Sequence, residues 1–359
     1  MTLLDEQPDF AQVIEMMGRM LQSSGGTIEL PEGEYTLTQR IDLQVDPGQT
    51  LSVVGAGIGA TDVRPDNSDG GIYCRLSDSR SRVEFRDFSL KQVRADGGTG
   101  IAIEGVLSET EDGSNVLVKD IDMRLPEGVV AANWFFNKAL SVRKVHRPVF
   151  DNVVISNVLG SNIPSDLYER GLLGEVGIEA DSVTSPSFVD CYVWSFEKGY
   201  HITNHMDRSL SPIRFTRSYA VGCKRGIELG PIFQTPIIVE DGHYNCRIFG
   251  IRLRDVHSNA EIRRNLFYNV DALGDYPNYR DVFIERSSNV LILDNIFHAV
   301  SHTSRYGVWI MDASTNLSVS RNKFTFEGTS VGIGTSCAKV SIENNNYDPC
   351  VKLPVKIPE

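Results

Sequence analysis

The chain has 359 residues, 41% apolar and 23% charged, with a formal net charge of −12. That mix is apolar enough to bury a core and excludes a disordered chain. The acidic excess argues against nucleic acid as a partner, because neutralising phosphates takes clustered Lys and Arg. Local basic rows on an acidic whole still leave an anionic glycan open.

In chain order, the opening MTLLDEQPDF carries acids instead of a basic n-region and an apolar h-region, so no Sec signal peptide is readable. Asp9 reads as an N-cap, and Phe10, Val13, Ile14, Met17, Met20 and Leu21 recur at helical spacing until Ser23-Ser24-Gly25-Gly26 stops the pattern. Residues 1–26 are therefore an N-terminal segment with one helix. GGTIELPEGEYTL then reads as strand, Pro-Glu-Gly turn and strand, followed by the strand-like IDLQV and TLSVVGAG. A lone helix ahead of short strands is expected to cap the open end of a β-stack, hiding its apolar face and edge. No apolar run approaches the roughly 20 residues that span a bilayer, so no membrane partner is expected.

From there two phrases repeat. The first is Gly followed by an alternating strand, at Gly100, Gly177, Gly199, Gly226, Gly250, Gly307 and Gly332, with DVFIE at Asp281 filling the long gap before Gly307. Between Gly177 and Gly250 the spacings are 22, 27 and 24 residues. Strands alone at a period of ~20–30 residues are the mark of a solenoid. The second phrase sets a polar turn residue between apolar ones; in IRRNLF, ILDNIF, VSRNKF and IENNNY that residue is Asn265, Asn295, Asn322 and Asn344. Asn tolerates left-handed corners, and stacked amides can bond from coil to coil. The predicted fold is all-β, a single-stranded right-handed parallel β-helix over 27–350, with 351–359 as a C-terminal tail. The six cysteines, Cys74, Cys191, Cys223, Cys246, Cys337 and Cys350, form no C-x-x-C pair; they are expected to be reduced and mostly buried, with no metal site.

The helix followed by GGTIELPEGEYTL, the serial G-I-x-[AIL] strands and the N-x-F/Y corners resemble the pectate-lyase-like superfamily of right-handed β-helix proteins. The resemblance runs from about Phe10 to Tyr347 and specifies the fold far better than an activity. It implies a carbohydrate-active protein: pectate and alginate lyases, polygalacturonases, alginate epimerases and phage tailspike depolymerases share it, as do members without catalysis. The polygalacturonase motifs N-T-D, G-H-G and R-I-K, the epimerase motif D-P-H-E and calcium-binding nonapeptides are missing from the sequence. No site residue carries over by motif, no cofactor is assigned, and calcium of the pectate-lyase kind has no supporting motif.

Strand alternation supplies the candidate site instead. With Ile178, Tyr200, Ile227, Ile251, Val282 and Val308 pointing inward, Glu179, His201, Glu228, Arg252, Phe283 and Trp309 point outward. Two positions on, Asp181, Arg254 and Glu285 do the same. Coils stack at ~4.8 Å, which puts the backbones of Glu179 and Glu228 ~9.6 Å apart and their carboxyls within reach of the ~6.5–9.5 Å of an inverting glycosidase. Glu179, Glu228, His201 and Asp181 are the candidate catalytic groups, with His201 as a base. Arg252 and Arg254 would clamp a uronate carboxylate and offset enolate charge in a lyase; Phe283 and Trp309 offer surfaces to sugar rings, and Glu285 a further polar contact. The same row also reads as a cross-strand charge ladder worth ~0.2–1 kcal/mol per pair and nothing more. Three excursions could line the groove: Tyr168, Glu169 and Arg170; His205, Asp207 and Arg208; and Asp271, Asp275, Tyr276, Tyr279, Arg280 and Asp281.

The expected function is binding and cleavage of an extracellular, acidic polysaccharide by a lyase or glycosidase of the tailspike or depolymerase type. A non-catalytic glycan-binding spike or adhesin is the alternative, and a purely structural coil a third. Without a readable Sec signal, synthesis in the cytoplasm is expected, with virion association or non-Sec export. Self-association, as a trimer, is what the tailspike resemblance implies.

Overall fold

The computed structural model describes residues 10–93, 97–107, 115–124, 136–157, 174–203, 211–269, 279–299 and 305–357. One helix, Phe10–Leu21, precedes a long series of short strands. Each strand pairs in parallel with its counterpart one coil later, as in Gly174–Asp181 with Phe196–Thr203, then Arg225–Leu229, then Phe249–Arg254. This is a parallel β-helix. A broad sheet of 13 strands forms one side, and a 21-stranded sheet wraps the rest as two ladders. Three long strands, Arg82–Leu90, Asn115–Arg124 and Val149–Ser156, run through the corner between those two ladders.

The helix closes the N-terminal end. Ala11, Ile14 and Gly18 face the coil and are buried, and Phe10 stacks on Tyr35 at 4.0 Å. A Cβ on Gly18 would come within 2.6 Å of Leu43 Cδ2, so the helix lies directly on the first strand of the broad sheet. Met20, expected on the apolar stripe, is 72% exposed; the buried stripe follows positions 11, 14 and 18, which turns Met20 to solvent. Asp9 lies outside the described residues. At the other end, Val351–Lys352 and Val355–Ile357 both pair with Gly328–Gly334. Part of the segment expected as a tail thus extends the broad sheet, in runs too short to show a period in the sequence.

The repeated glycine has a steric cause. A Cβ on Gly199 would lie 2.8 Å from the carbonyl oxygen of Gly226, and one on Gly250 2.8 Å from that of Asp281. These positions form a column where successive coils touch backbone to backbone, which favours glycine in most coils. Its last described member is Ser330, stacked on Gly307; Gly332, expected there, instead stands in register with Trp309. Serine takes the place of glycine in this last coil, which hid the two-residue offset.

Asp281 occupies the same column with a charged side chain. It is completely buried and pairs with the equally buried Arg305, with Nη2 to Oδ1 at 2.6 Å and Nε to Oδ2 at 2.9 Å. Burial pushes the Asp281 carboxyl up to about 6, against the pull of Arg305.

Inside the coil, side chains stack like on like. Phe150, Phe188 and Phe215 are 4.8 and 4.4 Å apart, and Phe267, Phe297 and Phe324 4.9 and 4.7 Å apart. The asparagine ladder is real but ends one residue later than expected. Nδ2 of Asn265 donates to Oδ1 of Asn295, Asn295 to Asn322, and Asn322 to Asn345, at 3.0–3.1 Å. The left-handed corner residue is the one before each ladder member: Arg264, Asp294, Arg321 and Asn344. Asn344 therefore makes the turn while Asn345 makes the amide bond. Five of the cysteines are buried and free, and Cys350 is free but exposed.

Candidate functional site

The outer face of the broad sheet carries the predicted rows. Glu179, His201, Glu228, Arg252, Phe283 and Trp309 stand side by side in strand register. Asp181 pairs with Thr203, and Arg254 with Glu285, in the next row. A third row was not anticipated: Lys138, Val176, Lys198, Arg225, Phe249, Arg280 and Tyr306 follow one another on the far side of the glycine column. Simple alternation sends a residue two before Tyr200 inward with it. The crowded glycine breaks that alternation, and Lys198 Nζ arrives 3.4 Å from His201 Nε2.

At the centre, His201 Nε2 lies 3.8 Å from Glu228 Oε2, and Lys198 Nζ lies at the same distance from that oxygen. Glu228 Oε1 accepts from Arg252 Nη1 at 2.9 Å, while its Oε2 is buried with no hydrogen-bond partner. Burial, then the neighbouring Lys198 charge, hold the His201 imidazole below its ordinary 6.5, opposed by Glu228. The ring is thus neutral at neutral pH and able to accept a proton.

Arg252 is fully committed. Its Nε and Nη2 reach Glu285 Oε2 at 3.1 and 2.6 Å, in addition to Glu228. Glu285 is itself a buried hub that also takes Arg286 Nη1 at 2.8 Å and sits 3.8 Å from Arg254 Nε. Burial would raise the Glu285 carboxyl, but the hydrogen bond and charge of Arg252, with Arg286 and Arg254 behind it, hold it below the usual carboxylate value. Arg254 is half exposed and leans on Asp255 at 3.5 Å. Of the two arginines named from sequence as a uronate clamp, Arg252 is thus bonded within the fold, while Arg254 stays half exposed.

Upstream, both oxygens of Glu179 accept from Lys138 Nζ, at 2.9 and 3.0 Å, and Ser141 Oγ adds a third bond at 2.8 Å. Asp181 is held in the outer row by Arg143 Nε at 3.1 Å and Thr203 Oγ1 at 3.0 Å. Downstream, Trp309 is only 9% exposed, not the open platform expected. Arg280 covers it with its guanidinium carbon 3.6 Å from the ring centroid, and Tyr306 flanks it at 4.6 Å. Phe283 lies beneath Arg252 and Arg280, at 5.4 and 4.8 Å.

The structure thus gathers His201, Glu228, Arg252, Glu285, Phe283 and Trp309, and leaves Glu179, Asp181 and Arg254 tied to their own neighbours. Lys138, Lys198, Arg280 and Tyr306 are the additions. Tyr168, Glu169, Arg170, His205, Asp207, Arg208, Asp271, Asp275 and Tyr276 lie outside the described residues. Among the described residues no three His, Cys, Asp or Glu side chains converge as metal ligands. The carboxylates of this face point at Lys and Arg instead, which does not fit a calcium cage of six to eight oxygens.

Residues 176–347 match the family described as right handed beta helix region. The chain is a right-handed parallel β-helix. Solved structures extend that likeness over nearly the whole β-helix. The A-module of mannuronan C-5 epimerase AlgE6 from Azotobacter vinelandii superposes with a TM-score of 0.57 at 14% identity, covering 95% of this chain and 96% of the other. DFA-IIIase from Arthrobacter chlorophenolicus A6, in complex with DFA-III, gives 0.62 at 15% identity over 93% and 90%. The same enzyme in complex with GF2 gives 0.61 at 15% over 94% and 92%. At such identities the likeness is one of fold. No curated protein sequence matches the chain.

Proposed function

We propose that the outer face of the broad sheet of this β-helix binds a polysaccharide and acts on it by proton transfer, with His201 as the base and Glu228 beside it as orienting group. The observation that carries this reading is the unpartnered, buried Oε2 of Glu228, 3.8 Å from a neutral imidazole. A buried polar atom without a partner costs about 1–3 kcal/mol, and such atoms call for a role beyond stability. A substrate hydroxyl that donates to Glu228 Oε2 would satisfy that oxygen and hold the sugar so that a second proton of the same unit is delivered to His201, which becomes the imidazolium. The likeness in fold to a mannuronan C-5 epimerase and to a DFA-IIIase that holds DFA-III supports carbohydrate as the ligand class.

Glu179, with both oxygens occupied, favours a second reading in which the face grips glycan without turning it over. Virion association and a homotrimer are expectations of the tailspike resemblance; the particle mass in solution checks the latter.

The test is a panel of acidic and neutral polysaccharides followed by absorbance of unsaturated uronates, by reducing ends and by proton NMR for epimerisation. Turnover by the wild type that falls about a hundredfold or more in Glu228→Gln and His201→Asn, with unchanged unfolding midpoints, supports the enzyme reading. Binding without any of the three signals assigns the protein to the second reading. Full activity in both variants removes these residues from the site.

A further inference from the structure

Around His201 and Glu228 the broad face pairs its cations with carboxylates, and Arg280 departs from that rule. Lys138 has Glu179, Arg143 has Asp181, Arg252 has Glu228 and Glu285, and Lys198 lies near Glu228. Arg280 has no carboxylate or hydrogen-bond partner among the described residues, and its Nε is buried and unsatisfied. The Nε1–H of Trp309 directly below is also buried and unsatisfied. Burial drives the Arg280 guanidinium down to about 10, and the nearby Arg252 charge adds to the effect. A half-buried positive charge with orphan donors and a like-charged neighbour is costly to keep. The cation–π contact with Trp309 orients the guanidinium but leaves its Nε–H unanswered.

We propose that Arg280, laid flat on Trp309 and flanked by Phe283 and Tyr306, is the specificity-determining receptor for the carboxylate of an acidic sugar unit bound on the broad face. The aromatic rings hold the guanidinium plane in place, so that its N–H fork meets a carboxylate without first being ordered. The sequence pointed to Arg252 and Arg254 for this role; Arg252 is neutralised by Glu228 and Glu285, Arg254 is half exposed beside Asp255, and Arg280 is the cation held on the aromatic cluster without a carboxylate among the described residues. Arg280 lies two coils beyond Glu228, roughly 9.6 Å along the axis by twice the coil spacing. That offset places the recognised carboxylate on a different unit of the polymer from the one facing His201. The inference rests on the broad-face reading above and narrows its ligand to an anionic glycan.

The experiment compares binding of oligogalacturonate and oligomannuronate with that of their carboxyl-reduced counterparts, by calorimetry on the whole chain, for wild type, Arg280→Gln and Arg280→Lys. Arg280 as receptor requires at least one acidic oligomer to bind wild type tenfold or more tighter than its reduced partner. That preference should vanish in Arg280→Gln and return in part in Arg280→Lys, with the reduced oligomer's affinity unchanged throughout. Equal affinity of acidic and reduced forms for wild type, or a preference that survives in Arg280→Gln, overturns the role of Arg280 and leaves the broad-face reading standing. If neither form of either oligomer binds wild type, the inference falls as well, while the broad-face reading is still decided by the wider panel of polysaccharides.

Discussion

Two charged strips run along this β-helix, and they differ in one respect. At the corner between the two narrower ladders, Asp190 meets Arg217, Asp241 meets Arg264, and Asp294 meets Arg321. Each of these pairs is two-pronged, at 2.6–2.9 Å, exposed, and built from residues at left-handed corners. On the broad face the row from Glu179 to Trp309 is less exposed and incompletely paired. Among the described residues, Glu228 keeps an unsatisfied oxygen, Trp309 an unsatisfied N–H, and Arg280 an unsatisfied Nε and no carboxylate partner. The corner has every charge answered, as a structural ladder should. The face leaves specific atoms open, and those atoms cluster around His201, Glu228 and Arg280. Between these two strips, incomplete pairing rather than the presence of charge is the difference.

The comparison is sharpened by disturbing pairs of each kind. The largest loss is expected from Asp281→Ala, which strands Arg305 in the core; denaturant unfolding should show about 3–5 kcal/mol of lost stability. A loss below about 1 kcal/mol would mean that the core pair is no better anchored than a surface one. Next comes a pH effect on the face. His201 must be neutral to accept a proton, and its lowered value keeps it neutral further into acid, so the acid limb of kcat/KM belongs below 6.5. Lys198→Ala removes one of the causes of that lowering and should move the limb to higher pH; an unmoved limb would dissociate Lys198 from the base. The smallest effect belongs to the corner, where a double-mutant cycle on Asp241 and Arg264 should return only ~0.2–1 kcal/mol of coupling and leave glycan binding untouched.

Much of this was legible in the sequence because each coil repeats its chemistry. The stacked glycines reported close backbone contact, and Asn265, Asn295 and Asn322 reported the amide ladder. The outward row emerged from alternation alone, since alternation holds on the C-terminal side of each glycine. On the other side it fails, which is why Lys198 and Arg280 were not placed beside His201 and Trp309. The run Asn344-Asn345-Asn346 offered three candidates for one ladder position, and composition alone could not choose among them. Nor could the sequence reveal that Arg252 bridges Glu228 and Glu285, because that pairing depends on side-chain conformations across three coils.

The most direct test is a structure of the protein with an oligosaccharide cut from whichever polymer it binds. The account predicts sugar units along the broad face, one over His201 and Glu228 and another with a carboxylate against Arg280. Sugar bound away from His201, Glu228 and Arg280 would contradict it. One such place is the cleft of about 610 Å³ formed by Tyr73, Arg75, Glu104 and Lys144, nearer the N-terminal end of the same sheet; another is the aromatic strip of Tyr192, Tyr219 and His243 on the neighbouring sheet.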